Sequence, residues 1–392
     1  GRSRYAADLL IRAPESVSIL GDPDGLRPRS QESLAITLRS AAARKDAPDK
    51  AMAAVGALRR HELLRIVFGD LTGQLRPEQV GAALADLAGA TIEAALEVAT
   101  RVVSGRQPSG SLASGDGGLL VDVLVVGMGS LGGRELGYSS DADIMVVHRP
   151  RPGVSEEAAH RQGVAVVQEL VRLVAATGPD AIALDADLRP EGKNGPLSRS
   201  LASYAAYYER WALTWERQAL LRARPVAGDR GLWEAFAALI DPLRFAAAGL
   251  TPAQVREIRT MKARVESERL PRGADPRTHL KLGRGGLTDV EWTVQLLQLQ
   301  HAHAVAALRT TGTVAGLRAA EAVGLLGAED ADVLAAAYEH AGQLRNANVL
   351  WRGRPGDAVP TDPRDADGVG RILGREPGTG AGLMAVSYTH LT

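Results

Sequence analysis

Apolar residues recur at helical spacing along most of this chain, and one central stretch breaks the rhythm. Near the start, Leu9, Leu10 and Ile11 precede Pro14, and Leu63, Ile66 and Val67 fall on one stripe. Pro77 to Arg101 is rich in Ala and Leu, so residues 1 to about 104 are expected to be helices. Gly105 to Gly118 has turn composition and predicts a boundary. Then the pattern changes. Val121 to Val126 is a mostly β-branched run ending on Gly127, Gly129, Gly132 and Gly133, and a second apolar run spans Ile144 to Val147. These read as two strands.

Helical spacing returns after them. Ser155 caps a helix with Glu156 and Glu157 in its first turn, Val167, Leu170, Val171 and Val174 form its stripe, and Gly178-Pro179 stops it. Ala181 to Leu188 predicts a third strand, carrying Asp185 and Asp187. A charged glycine loop, Arg189 to Pro196, leads into a helix bearing Tyr204, Tyr207, Tyr208, Trp211 and Trp215. Thr251 with Gln254 makes a capping box, Pro252 takes the first helical position, and that helix runs to about Leu270. Thr288 to Glu291 predicts a second capping box, opening a helix to about His303. Helices around 313–325 and 328–350 complete a bundle. The expected class is therefore α+β and mostly helical, with a small sheet flanked by helical segments.

Composition narrows the function classes. A length of 392 residues favours about two or three domains. The expected division is a helical segment at 1–118, a sheet-containing domain at 119–250 and a helical bundle at 251–380. Residues 381–392 break from the Ala/Arg/Gly-rich style before them and read as a foreign or disordered tail. The chain starts without Met in what already reads as helix, so an incomplete chain is expected. Basic and acidic residues balance at 46 each, which argues against a chain devoted to wrapping nucleic acid. There is no cysteine, hence no thiolate metal site or cysteine nucleophile. No apolar run approaches the roughly 20 residues of a membrane span, and no signal segment opens the chain. A cytoplasmic protein without membrane or nucleic-acid partners is the expectation.

The chemistry concentrates between residues 121 and 193. Gly127-Met128-Gly129-Ser130-Leu131-Gly132 satisfies a dinucleotide-binding fingerprint. That fingerprint needs a crossover of at least about 10–12 residues including a helix, and Gly133 to Ser140 is too short and is interrupted by Gly137. A glycine turn still lets backbone N–H groups approach a polyphosphate. Asp141 and Asp143, two apart on a strand, point to one face. With Asp185 on a neighbouring strand they suit Mg²⁺, which takes a few carboxylates plus substrate phosphates. The bland alternative is a glycine hairpin with solvated aspartates. Asp187 reads as solvated. Arg189 and Lys193 are candidates to reach phosphates, against ordinary exposed charges. The Tyr/Trp cluster reads as packing rather than base stacking, and Thr288 with Glu291 reads as a helix cap. His301 and His303, two apart on a helix, do not face each other.

These residues carry a resemblance. G-M-G-S-L-G-G-R-E-L-G-Y-S-S-D-A-D resembles the signature of glutamine synthetase adenylyltransferases, of the nucleotidyltransferase superfamily. D-A-D-L-R-P-E-G-K-N-G-P-L, T-W-E-R-Q-A-L-L-R-A-R and K-L-G-R-G-G-L-T-D-V-E-W resemble further blocks of that family, in its order, over roughly residues 3 to 375. The resemblance implies a nucleotidyltransferase-fold domain that moves AMP from Mg²⁺-ATP to a tyrosine of glutamine synthetase. Members are bifunctional, and this chain holds one catalytic unit. R-V-E-S-E-R-L-P-R-G and the last of those blocks resemble the C-terminal, adenylylating half in its actinobacterial style. Phosphorolytic removal of AMP, or a non-catalytic regulatory half, are the alternatives. By resemblance, Asp141, Asp143 and Asp185 are metal ligands and catalytic. Gly127, Gly129, Ser130, Gly132 and Gly133 hold phosphates. The family often has a basic residue where Ser130 stands, and Arg189 or Lys193 is expected to substitute. Glutamine and a PII-type signalling protein are the implied regulators.

Overall fold

The computed structural model describes residues 3–22, 24–105, 118–376 and 378. The tail at 381–392 and most of the predicted boundary loop, residues 106–117, lie outside the described residues. Helices α1 (Arg4–Arg12), α2 (Gln31–Ala43), α3 (Pro48–Leu71) and α4 (Pro77–Gly105) come first. The sheet region follows, with β1 (Val121–Gly127), the short α5 (Gly129–Gly132), β2 (Ala142–Pro150), α6 (Glu156–Ala175), β3 (Leu184–Asp185) and β4 (Arg199–Ser200). It closes with α7 (Leu201–Trp211), α8 (Thr214–Leu220), β5 (Arg224–Gly228) and α9 (Arg230–Arg244). The last helices are α10 (Pro252–Glu268), α11 (Leu287–His301), α12 (Thr313–Ala322), α13 (Ala328–Arg352) and α14 (Pro363–Ile372). The molecule is a mostly helical α+β protein.

The sheet runs β3-β2-β1-β5, with β4 also paired to β2. β1 and β2 are antiparallel neighbours, with Gly127 opposite Ile144. A crossover unit would make them parallel, so the dinucleotide-binding reading is excluded. Both faces of the sheet are covered, which explains why its strands read as continuous apolar runs. Val121, Val123, Val125, Ile144 and Val146 join α4 and α6 in one core. Leu124, Val126, Met145 and Val147 point the other way, onto Tyr204, Leu232, Phe236 and Ile240 of α7 and α9. The strand alternation thus divides two cores. Helices α11 to α14 build their own around Leu344, Val294 and Leu317.

Three expectations need correction. The third strand is not eight residues but two. Asp185 Oδ1 accepts the N–H of Asp187 at 2.7 Å, an Asx-type turn that bends the chain out of the sheet. The predicted capping box at Thr288 is absent. Gly286 is the N-cap, and Asp289 instead accepts the N–H of Gly285 at 2.6 Å. Thr288 is buried and Glu291 belongs to an ion network. The aromatic cluster divides: Tyr204 and Tyr208 are core, while Trp211 is 66% exposed. The Thr251–Gln254 capping box and the Ser155 cap form as expected.

Candidate nucleotide and metal site

The β1–β2 hairpin sets the site. At its tip, β1 ends on Gly127 and the chain makes the single turn of α5 before returning through Asp141 into β2. The N–H groups of Gly132 and Gly133 bond back to Met128 and Gly129 carbonyls at 2.7 and 3.0 Å. Those of Gly129, Ser130 and Leu131 precede any i−4 partner in this turn and carry no hydrogen bond among the described residues. Those of Gly129 and Ser130, which are partly exposed, are the donors open to an anion, whereas Leu131 is fully buried. Of the glycines expected to hold phosphates, Gly132 and Gly133 serve packing instead. A Cβ on Gly132 would collide with the Arg222 carbonyl, and one on Gly133 with the Arg222 guanidinium. Gly129 has φ +49°, and a Cβ there would run into the Asp143 carboxylate. Asp143 therefore lies directly against the turn.

Asp143 and Asp185 face one another across the parallel β2–β3 pair, in register. Asp143 is pushed up to about 6, first by burial and then by the Asp185 charge, with Lys281 pulling the other way and Asp141 and Glu291 adding to the rise. A carboxylate so placed favours a cation beside it. Among the described residues, no three His, Asp or Glu side chains close into a ligand cage. The open set of Asp143 and Asp185, with Asp141 exposed at the rim, matches how Mg²⁺ is held, by one or two carboxylates with waters and substrate phosphates completing the shell.

The two basic candidates part company. Arg189 is 6% exposed, and its guanidinium donates to the carbonyls of Gly195 at 2.9 Å, Ala186 at 2.7 Å and Lys193 at 3.2 Å. It ties its own loop shut and is not free to reach a phosphate. Lys193 is exposed and lies 3.4 Å from Asp187 Oδ2. Beside the carboxylates opens a pocket of about 590 Å³, lined by Asp141, Asp185, Gln168, Val171, Arg189 and Lys193 among others.

Residues missed by sequence reasoning arrive from far along the chain. Lys281, in the loop before α11, bears electrostatically on Asp143 and Glu291. Its scarcity among 41 arginines was the available signal. Behind the turn, Arg222 is buried and binds Glu135, the Thr311 carbonyl at 3.0 Å, Thr313 Oγ1 at 2.7 Å and Glu291 at 3.4 Å. Glu135 in turn accepts from the Thr313 N–H at 2.5 Å and Tyr338 OH at 2.8 Å. The network pins the hairpin tip to α11, α12 and α13.

A short glycine turn thus lies beside paired carboxylates on a small mixed sheet. Comparison with known proteins gives the family. Residues 1–239 match the model described as Glutamate-ammonia ligase adenylyltransferase, and residues 259–392 match that of GlnD PII-uridylyltransferase. A protein of Streptomyces avermitilis named "Bifunctional glutamine synthetase adenylyltransferase/adenylyl-removing enzyme" is 48% identical over 407 aligned residues, 99% of this chain and 40% of its own length. Proteins of the same name from Nocardia farcinica and Cutibacterium acnes are 46% and 45% identical, over 100% and 99% of this chain and 39% and 38% of theirs. The chain belongs to the glutamate–ammonia ligase adenylyltransferase family. It spans about two fifths of the length of these relatives.

Proposed function

We propose that this chain carries an adenylylating centre, which transfers AMP from Mg²⁺-ATP to a tyrosine hydroxyl of glutamine synthetase and releases pyrophosphate. The observation that carries the reading is the registered Asp143–Asp185 pair, with Asp143 against a turn that offers two open N–H groups. The N–H groups of Gly129 and Ser130 receive the departing phosphates, and Asp141, Asp143 and Asp185 would hold Mg²⁺. The ion, when bound, neutralises phosphate charge and orients the reacting oxygens. The chain's own residues mainly position the two substrates, as is general for phosphoryl transfer. Asp185, beside the pocket, takes the proton of the attacking phenol. An Asp185→Asn variant with normal turnover and only weakened metal affinity would remove that role.

The adenylylating direction rests on the resemblance of residues 264–273 and 283–292 to that half of the family. The relatives' name also includes an adenylyl-removing activity, and one metal site can serve both directions. Glutamine and a PII-type signalling protein are the regulators in this reading, and the cytoplasm is its compartment. The test is label transfer from α-phosphate-labelled ATP with Mg²⁺ to unmodified bacterial glutamine synthetase, beside an Asp143→Asn control. Label on the synthetase that vanishes in the control is the expected result. No label from a folded chain, with ADP formed from adenylylated synthetase and phosphate, would assign the removing activity instead. Neither reaction would leave a regulatory binding role.

A further inference from the structure

The pocket beside the carboxylates shares Asp141 and Asp185 with the site, yet neither Gly129 nor Ser130 lines it. The cavity thus borders two of the carboxylates without reaching the turn, and Asp143, which lies against the turn, is not part of its lining. Resting on the functional reading above, that arrangement has a geometric consequence. In-line displacement puts the attacking oxygen and the leaving group on opposite sides of the phosphorus. If pyrophosphate leaves towards the turn, the nucleophile arrives from a side the turn does not occupy, and this cavity meets that condition.

The lining suits a protein segment better than a purine. One wall is aliphatic, made of Val171, Ala183, Leu184, Ala186 and Leu197. No aromatic ring lines the cavity to stack on a base. Val171 is 40% exposed on α6, and Gln168 sits one turn earlier on the same face, with no hydrogen-bond partner among the described residues for its amide. An apolar wall with one free amide can hold a ring and its flanking backbone together. About 590 Å³ is the size of a pocket that takes a whole small-molecule ligand, so it has room for a tyrosine and the residues beside it. The opposite wall, the loop 186–195, is held rigid by the Arg189 guanidinium on three of its carbonyls.

We propose that this cavity is the acceptor subsite: the target tyrosine enters between α6 and the Arg189 loop, with its ring on Val171 and Leu184 and its hydroxyl beside Asp185. There the phenolic oxygen forms a bond to the α-phosphorus while the bond from that phosphorus to the bridging oxygen breaks. The bridging oxygen leaves on pyrophosphate with the electron pair, and the phenol proton passes to the Asp185 carboxylate.

Val171→Trp, which fills the cavity, and Gln168→Ala, an exposed change that no packing defect can explain, test the assignment. Steady-state label transfer should show the KM for glutamine synthetase raised about tenfold or more, a typical penalty for misfit in an apolar pocket, while the KM for ATP stays within about twofold. Thermal midpoints matching the wild type establish that both variants fold. An ATP KM that rises as much as the synthetase KM would give the cavity to the nucleotide and overturn the proposal. So would variants that leave both constants unchanged while the wild type transfers label. A wild-type chain that transfers no label would instead overturn the functional reading, and this assignment with it.

Discussion

Removing the Arg222 guanidinium should cost the protein more than any surface ion pair. Its side chain is 7% exposed, and those of Glu135 and Glu291 are 18% and 25% exposed. Burial opposes its charge, and the two carboxylates together outweigh that and hold it firmly protonated. In an Arg222→Met variant, Glu135 and Glu291 are left close together without the cation between them, and Thr313 Oγ1 and the Thr311 carbonyl lose a donor. Breaking a buried pair by deleting one partner costs about 3–5 kcal/mol. The partly open carboxylates place this one near the lower end, about 3 kcal/mol. With a urea slope of about 3 kcal/mol/M, the unfolding midpoint falls by about 1 M. Tryptophan fluorescence reports it, since Trp292 adjoins Glu291. The Arg222→Met/Glu135→Gln double variant should recover part of the loss, because one unpaired charge goes with its partner. Arg222→Lys should not rescue, since a single ammonium cannot reproduce a fork serving four groups. A midpoint shift below about 0.3 M in the single variant would mean the network contributes no more than an exposed pair.

Three further outcomes are expected. His148 is fully buried, its Nε2 has no partner among the described residues, and burial followed by the His160 charge pushes it down to about 4 from 6.5. The unfolded chain then binds the extra proton first, so this group's contribution is present above pH 6.5 and lost as pH falls towards 4, up to about 3 kcal/mol. His148→Gln should flatten that part of the stability–pH curve in urea titrations, and an unchanged slope would refute it. Gly132→Ala must push the Arg222 backbone away from the hairpin tip. About 1–3 kcal/mol of stability should go, whereas Gly342→Ala, in the helical backbone of α13 with open space around it, should lose none; equal urea midpoints for the two would contradict the packing role. Arg189→Lys loses most of its carbonyl bonds, so limited proteolysis should cut within residues 186–195 faster than in the wild type, and an unaltered cleavage pattern would show that the loop holds without it.

What could be read from the sequence was what lies close along the chain. The β1–β2 hairpin, its glycine turn and Asp141 and Asp143 occupy one stretch of local pattern, and even Asp185 lies only one helix away. The short strands were not legible. β4 has two residues, and β5 is R-P-V-A-G, where Pro225 suits an edge position beside an irregular pairing with β1. A run of two to five residues does not establish a period of two. Gly132 and Gly133 looked like phosphate glycines because sequence cannot tell a glycine that bares its N–H from one that makes room for a neighbour. Arg189 likewise reads as a candidate phosphate ligand until the carbonyls around it are seen. Arg222, Glu291, Thr313 and Tyr338 are scattered over more than a hundred residues, and only tertiary packing brings them to Glu135.

That last network bears on how such chains can be recombined. One family match stops at residue 239 and the other begins at residue 259, which invites treating the gap as a seam where modules are exchanged. The ion network crosses it: Glu135 and Arg222 lie before the seam, and Glu291, Thr313 and Tyr338 after it. A chimera that joins a catalytic unit from one lineage to helices from another inherits half of a charge arrangement in a place water barely reaches. A change of charge on one side calls for a matching change on the other, so a cut between residues 239 and 259 does not separate two independent units.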